Sequence, residues 1–147
     1  MPITQISPEE AKALLDGDNS HIYIDVRSEG EFQQAHPTGS YNVPVQHLNI
    51  AIQQLQDNEE FTQVMQANFP KDAKLILCCG SGIRSQRACE LLERCGYESL
   101  FNVDGGFSGA RDMYGTIAKM GWMQLGYPVD NGNDDERGYE TLKDKTA

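Results

Sequence analysis

Residues 74–87 read KLILCCGSGIRSQR, and this stretch decides the fold. Its opening, LILC over residues 75–78, is continuously apolar. Such a run fits a central parallel strand covered on both faces. Gly80 and Gly82 then permit a tight turn, and Arg84 begins a segment of helical period in which Ala88, Leu91, Leu92 and Cys95 share one stripe before Gly96. A buried strand running through a Gly-rich turn into a helix gathers backbone N–H groups at the positive end of the helix dipole, which makes an anion cradle. A cysteine at that point is stabilised as its thiolate, the nucleophilic form. Two cysteines compete for the position. Counted from Cys78 the loop is Cys-x5-Arg; counted from Cys79 it is Cys-x4-Arg. If residues 75–78 fill the strand, Cys79 is the first residue of the turn.

The same alternation of signals extends along the chain. Ser7-Pro8-Glu9-Glu10 is a helix start with Ser as N-cap and Glu three residues on, and Ser28-x-x-Glu31 repeats the pattern. HIYIDV (residues 21–26) and SLFNV (residues 99–103) read as strands. Leu48, Ile52 and Leu55 fall at helical spacing and predict a helix over 47–55; a second helix after Asp57 carries Phe61, Val64 and Met65 on one face. Strands separated by helices predict a three-layer α/β domain with a central, mainly parallel sheet flanked by helices. One domain is expected over residues 1–129. Within it, residues 108–129 are irregular and rich in Gly, Met and aromatics, and are a candidate cover for the loop, with Trp122 and Met123 lining it. Residues 130–147, almost wholly polar, are expected to be a flexible tail.

The chain has 147 residues and a formal net charge of −10, with no cluster of Lys or Arg. Neither a nucleic-acid partner nor a membrane surface is expected. No apolar segment approaches the roughly 20 residues of a membrane helix, and no basic region followed by an apolar stretch opens the chain. A cytoplasmic location follows as the expectation. Four cysteines (Cys78, Cys79, Cys89, Cys95) match no zinc spacing and are expected to be free thiols; His21, His36 and His47 show no ligand spacing either. No metal and no cofactor are expected. Cys95, on the apolar stripe, is expected in the core and Cys89, off it, nearer to solvent. His36, beside Pro37, reads as a packing or backbone-bonding residue rather than a general base.

CGSGIRS (residues 79–85) resembles the Cys-x-Ser-Gly-x-Arg-Ser loop of rhodanese-like sulfurtransferases. YIDVRSEGEFQQAHPTGSYNVP (residues 23–44) and ELLERCGYESLFNVDGGF (residues 90–107) resemble that family's flanking segments. The resemblance covers most of residues 1–129. It implies a ping-pong sulfur transfer in which Cys79 takes the outer sulfur of thiosulfate or another persulfide donor and carries it as a persulfide to a thiol or protein acceptor. Gly80, Ser81, Gly82, Ile83, Arg84 and Ser85 would bind the substrate, with backbone N–H groups on the terminal sulfur, Arg84 on an oxyanion or bracing the loop, and Ser85 capping the helix. Asp25 and Arg27, closing a strand beside the loop, would support it. Gly80 departs from the basic residue often found there, which lowers the expected attraction for thiosulfate and favours a different donor.

Two other functions fit part of the pattern. A cysteine phosphatase or arsenate reductase would use the Cys78-x5-Arg84 register, though Leu77 stands where such phosphatases carry His. A non-catalytic regulatory rhodanese-like module would use the fold alone, against the retention of the cysteine, both glycines and the arginine.

Overall fold

The computed structural model describes residues 2–18, 20–132 and 134–146. In chain order the elements are β1 (Ile3–Ile6), α1 (Pro8–Leu15), β2 (His21–Asp25), α2 (Glu29–Gln34), β3 (His36–Pro37), β4 (Tyr41–Asn42), β5 (Gln46–Asn49) and β6 (Gln54–Asp57). There follow α3 (Phe61–Asn68), β7 (Lys74–Cys78), α4 (Ile83–Arg94), β8 (Ser99–Val103), β9 (Ala110–Arg111), β10 (Ile117–Lys119), β11 (Val129–Asp130) and α5 (Tyr139–Asp144). Five strands form one sheet in the order β1-β8-β7-β2-β4, and every pairing in it is parallel.

The apolar run predicts its own position. β7 is the central strand, and its alternate side chains enter two separate layers. Leu75 and Leu77 face a core built with Phe61, Val64 and Met65 of α3 and Ala88 and Leu92 of α4. Ile76 and Cys78 face a second layer with Tyr23, Ala11 of α1, Phe107 and Trp122. Both expected capping boxes form: Ser7 with Glu10 before α1, and Ser28 with Glu31 before α2.

Residues 47–55 are not helical. They form the β5–β6 hairpin, with Leu48 opposite Leu55 and Gln53 at φ 50° in the turn. Leu48, Ile52 and Leu55 are all exposed, so no buried face exists to hold the helical spacing against the β-branched Ile50 and Ile52. The described part of 130–147 also departs from the expected flexible tail. β11 pairs with β3, and Tyr139 and Leu142 of α5 are buried in the α3 and α4 layer. Asn58 Nδ2 donates to Tyr139 Oη at 3.0 Å and Asn68 Nδ2 to the Leu142 carbonyl at 2.8 Å, so two apolar anchors and two amides dock an otherwise polar segment. Among the described residues, no helix is long and apolar enough to cross a membrane.

Candidate active site

The loop begins where β7 ends. Gly82, at φ 117°, is the N-cap of α4, and the expected cap Ser85 lies instead within the helix's first turn. Three loop carbonyls are tied to one partner segment: Gly105 N–H donates to Ser81 O (3.0 Å), Phe107 N–H to Cys79 O (2.8 Å) and Ser108 N–H to Gly80 O (2.8 Å). With its carbonyls held on that side, the loop turns its amides inward. The Gly82 N–H donates to Cys79 Sγ at 3.1 Å. No hydrogen bond from the N–H of Gly80, Ser81, Ile83, Arg84 or Ser85 occurs among the described residues, as the open end of a helix dictates. Gly106 makes this packing possible, because a Cβ there would lie 2.3 Å from Cys79 O.

Ser85 takes a different role from a cap. Its hydroxyl is 2.5 Å from Asn102 Oδ1 and 3.4 Å from Cys79 Sγ, so one proton serves two acceptors and the shorter contact holds it. The Asn102 amide donates to Gln5 Oε1 and Gly82 O, which fixes Oδ1 as the acceptor. In the sequence Asn102 is one polar residue in a strand, with nothing nearby to mark it. Ile83 contributes only its backbone, since its side chain is 79% exposed.

One ion pair closes β2 and another joins α4 to α2. Asp25 and Arg27 are both buried, with Arg27 Nη2 2.8 Å from Asp25 Oδ2 and its guanidinium 4.3 Å above the Phe107 ring. Arg27 Nη2 also reaches the Ala35 carbonyl at 2.6 Å. Arg84 meets Glu31 through both fork nitrogens, Nη1 to Oε1 at 2.8 Å and Nη2 to Oε2 at 3.0 Å. The fork expected to hold an oxyanion or to brace the loop is paired with a carboxylate. Glu31, read from the sequence as a capping residue and as part of the segment that resembles the family, is the partner of Arg84 that contiguous reading misses.

The remaining thiols differ from Cys79 in what surrounds them. Cys78 is fully buried in the opposite layer, and burial, followed by the nearby Asp25 carboxylate, pushes its pKa well above the ordinary thiol value. Cys89 is buried rather than near solvent, with its pKa raised to about 12 by burial first and Glu90 second, whereas Cys95 is only half-buried. The buried face of α4 runs through Ser85, Ala88, Cys89 and Leu92, one residue away from the expected stripe, because Ser85 must face the loop. His36 is buried, stacks on Phe32 at 3.7 Å and has Nδ1 2.7 Å from the Phe32 carbonyl, as expected of a packing residue. Trp122 packs in the Cys78 layer, 5.1 Å from the Tyr23 ring; from 108–129, Ser108 reaches the loop through its N–H on Gly80 O, and Ala110 and Arg111 share a groove with Ser81, Gly82 and Ile83.

A parallel three-layer domain with a cysteine loop at the tip of its central strand is the architecture of the rhodanese-like domain. The chain belongs to that family, whose model matches residues 7–112. It is 32% identical over 111 residues to thiosulfate sulfurtransferase GlpE of Tolumonas auensis, covering 76% of this chain and 91% of that one. It is 49% identical over 55 residues to rhodanese-like domain-containing protein 11, chloroplastic, of Arabidopsis thaliana, and that match spans 37% of this chain and 19% of the relative. The crystal structure of Rv0390 from M. tuberculosis superposes with a TM-score of 0.73 at 26% identity, over 88% of this chain and 98% of that one.

Proposed function

We propose that the protein is a sulfurtransferase that moves a sulfane sulfur from thiosulfate or another persulfide donor to a thiophilic acceptor through a Cys79 persulfide. The Cys79 thiolate attacks the outer sulfur of the donor, a new S–S bond forms, and the donor's S–S bond breaks with its electron pair leaving on sulfite or a thiolate. The inward amides of residues 80–85 stabilise the terminal sulfur, which carries the charge. A thiol or protein nucleophile then collects that sulfur and regenerates the thiolate. A reducing compartment such as the cytoplasm keeps the four free cysteines in the form this chemistry needs. The observation that carries the reading is the Gly82 N–H on Cys79 Sγ inside a loop whose carbonyls point away.

The phosphatase or arsenate reductase reading needs Cys78 as nucleophile. Its burial in the opposite layer, with a raised pKa, speaks against that register. Intact mass after thiosulfate treatment tests both readings. One added sulfur should appear on the wild-type protein and on Cys78→Ser and be absent from Cys79→Ser, with cyanide-dependent transfer following the same pattern. Aryl-phosphate hydrolysis lost with Cys78→Ser would overturn the proposal. A protein that takes up no sulfur and hydrolyses nothing would fit the regulatory module.

A further inference from the structure

One proton beside Cys79 has two acceptors within reach, and the residues behind it decide between them. The Ser85 hydroxyl lies 2.5 Å from Asn102 Oδ1 and 3.4 Å from Cys79 Sγ, and Ser85 and Asn102 are both buried. Asn102 cannot turn its amide over, because Nδ2 donates to Gln5 Oε1 at 2.8 Å and to Gly82 O at 3.2 Å. Gln5 is oriented in turn, since its Nε2 donates to Gln86 Oε1. Among the described residues, Ser85 is the one donor to Asn102 Oδ1. Swinging the hydroxyl onto the sulfur would leave that oxygen buried without a partner, so the shorter bond and the desolvation of Oδ1 both hold the proton on Asn102.

Resting on the sulfur-transfer reading, we propose that Asn102 is a positioning residue that withholds the Ser85 proton from the Cys79 thiolate. A thiolate that accepts a further hydrogen bond is more stable and less nucleophilic, because attack on sulfur slows as the attacking thiol becomes more acidic. The Gly82 N–H and the open end of α4 already stabilise the charge on Cys79 Sγ. A hydroxyl bond added to these would stabilise the resting thiolate further and slow its attack on the donor. The other titratable groups that sense this sulfur keep one charge state through the neutral range. Arg84 is held charged by its bonds to Glu31. Burial opposes the charge on Glu31, but the Arg84 and Ser28 hydrogen bonds lower its pKa to about 2. Burial keeps Cys78 and Cys89 as neutral thiols, Cys78 well above the ordinary value and Cys89 at about 12.

Alkylation by iodoacetamide across pH, with peptide mass mapping to assign it to Cys79, reads the midpoint of ionisation without any sulfur donor. We expect Asn102→Leu, which removes the acceptor, to move that midpoint down by about 1, the worth of a hydrogen bond to a charged group. The limiting rate of persulfide formation from thiosulfate above the midpoint should fall about threefold. Loss of a merely structural amide would slacken the loop, draw its N–H groups away from the sulfur and move the midpoint up; that result, or no shift, overturns the assignment. Ser85→Ala closes the cycle. Added to Asn102→Leu it should return the midpoint to the wild-type value, and alone it should move the midpoint by a few tenths at most, because the wild-type proton serves Asn102. A rise of about 1 with Ser85→Ala alone would mean that the hydroxyl already serves the sulfur, and it overturns the assignment even if Asn102→Leu does not fold. Uptake of no sulfur by the wild-type protein would remove the sulfur-transfer reading, and Asn102's part in it, whatever the alkylation profile. Normal uptake with a midpoint that Asn102→Leu leaves in place would remove only the assignment.

Discussion

Cys78 and Cys79 are neighbours in the chain and equally hidden, at 0% and 1% exposure, yet their sulfurs occupy different chemistry. The pleat of β7 sends Cys78 into a layer of Tyr23, Ile76, Val103, Phe107 and Trp122. There a charged sulfur is penalised by burial and by Asp25. One residue later the strand has ended, and Cys79 Sγ meets the Gly82 N–H and the Ser85 hydroxyl. Exposure therefore does not separate the proposed nucleophile from its neighbour here. The orientation of the surrounding dipoles does, and that orientation is imposed by the three hydrogen bonds from residues 105–108 to the loop carbonyls.

Breaking those bonds should erase the contrast, and this is the largest effect expected. Gly106→Ala places a methyl 2.3 Å from Cys79 O and 2.7 Å from Gly80 O, at φ 56°, so the loop must move. Stability should fall by about 3 kcal/mol. Persulfide formation should fall by about a hundredfold, because reacting groups displaced by about 1 Å lose that much. Chemical denaturation and rapid-mixing mass spectrometry measure the two, and wild-type rates in a folded Gly106→Ala would remove the tether as the cause. A smaller change removes one contact on the Cys79 side alone. Ser85→Ala takes away the hydroxyl that Asn102 holds and that lies 3.4 Å from Cys79 Sγ, and should slow persulfide formation by about tenfold at most, the low end for a hydrogen bond to a charged group. An unchanged rate would mean that the 3.4 Å contact plays no part.

What the chain reveals to a reader follows how local each feature is. Both capping boxes, the apolar strand before Cys78 and the glycines of the turn are decided within a few residues, and the structure has them where the sequence implies. The partners that orient the loop are remote. Glu31 lies 53 positions from Arg84, and Asn102 lies 17 from Ser85, so neither is marked by spacing. The same limit explains the shifted face of α4, since only the fold shows that Ser85 must turn toward Cys79. The β5–β6 hairpin misleads for another reason: Leu48, Ile52 and Leu55 satisfy a helical period but face solvent, where periodicity has no core to refer to.

The Cys78 side of the comparison predicts a change in stability without one in chemistry. Cys78→Ala deletes a buried sulfur that touches no inward amide, and should cost about 1 kcal/mol as a small cavity in the Tyr23 and Trp122 layer. Thermal unfolding reads that loss. Sulfur transfer should stay at the wild-type level, and a tenfold drop would show that the two layers are coupled through β7.

The smallest effect concerns the brace on the Cys79 side. Glu31 has its pKa lowered to about 2, against burial, by Arg84 and Ser28. A carboxyl depressed in the folded state stabilises the protein above its unfolded pKa, and that contribution is lost as pH falls through the folded value. The window here runs from about 4.5 down to about 2. Glu31 is 37% exposed, so solvent screening limits the contribution to about 1 kcal/mol or less. Wild type and Glu31→Gln should therefore differ in Tm near neutral pH and converge as the pH drops from about 4.5 toward about 2. A constant difference across that range would mean that the substitution acts through packing or the capping box, and that the Arg84 pair contributes no charge-dependent stability to the loop.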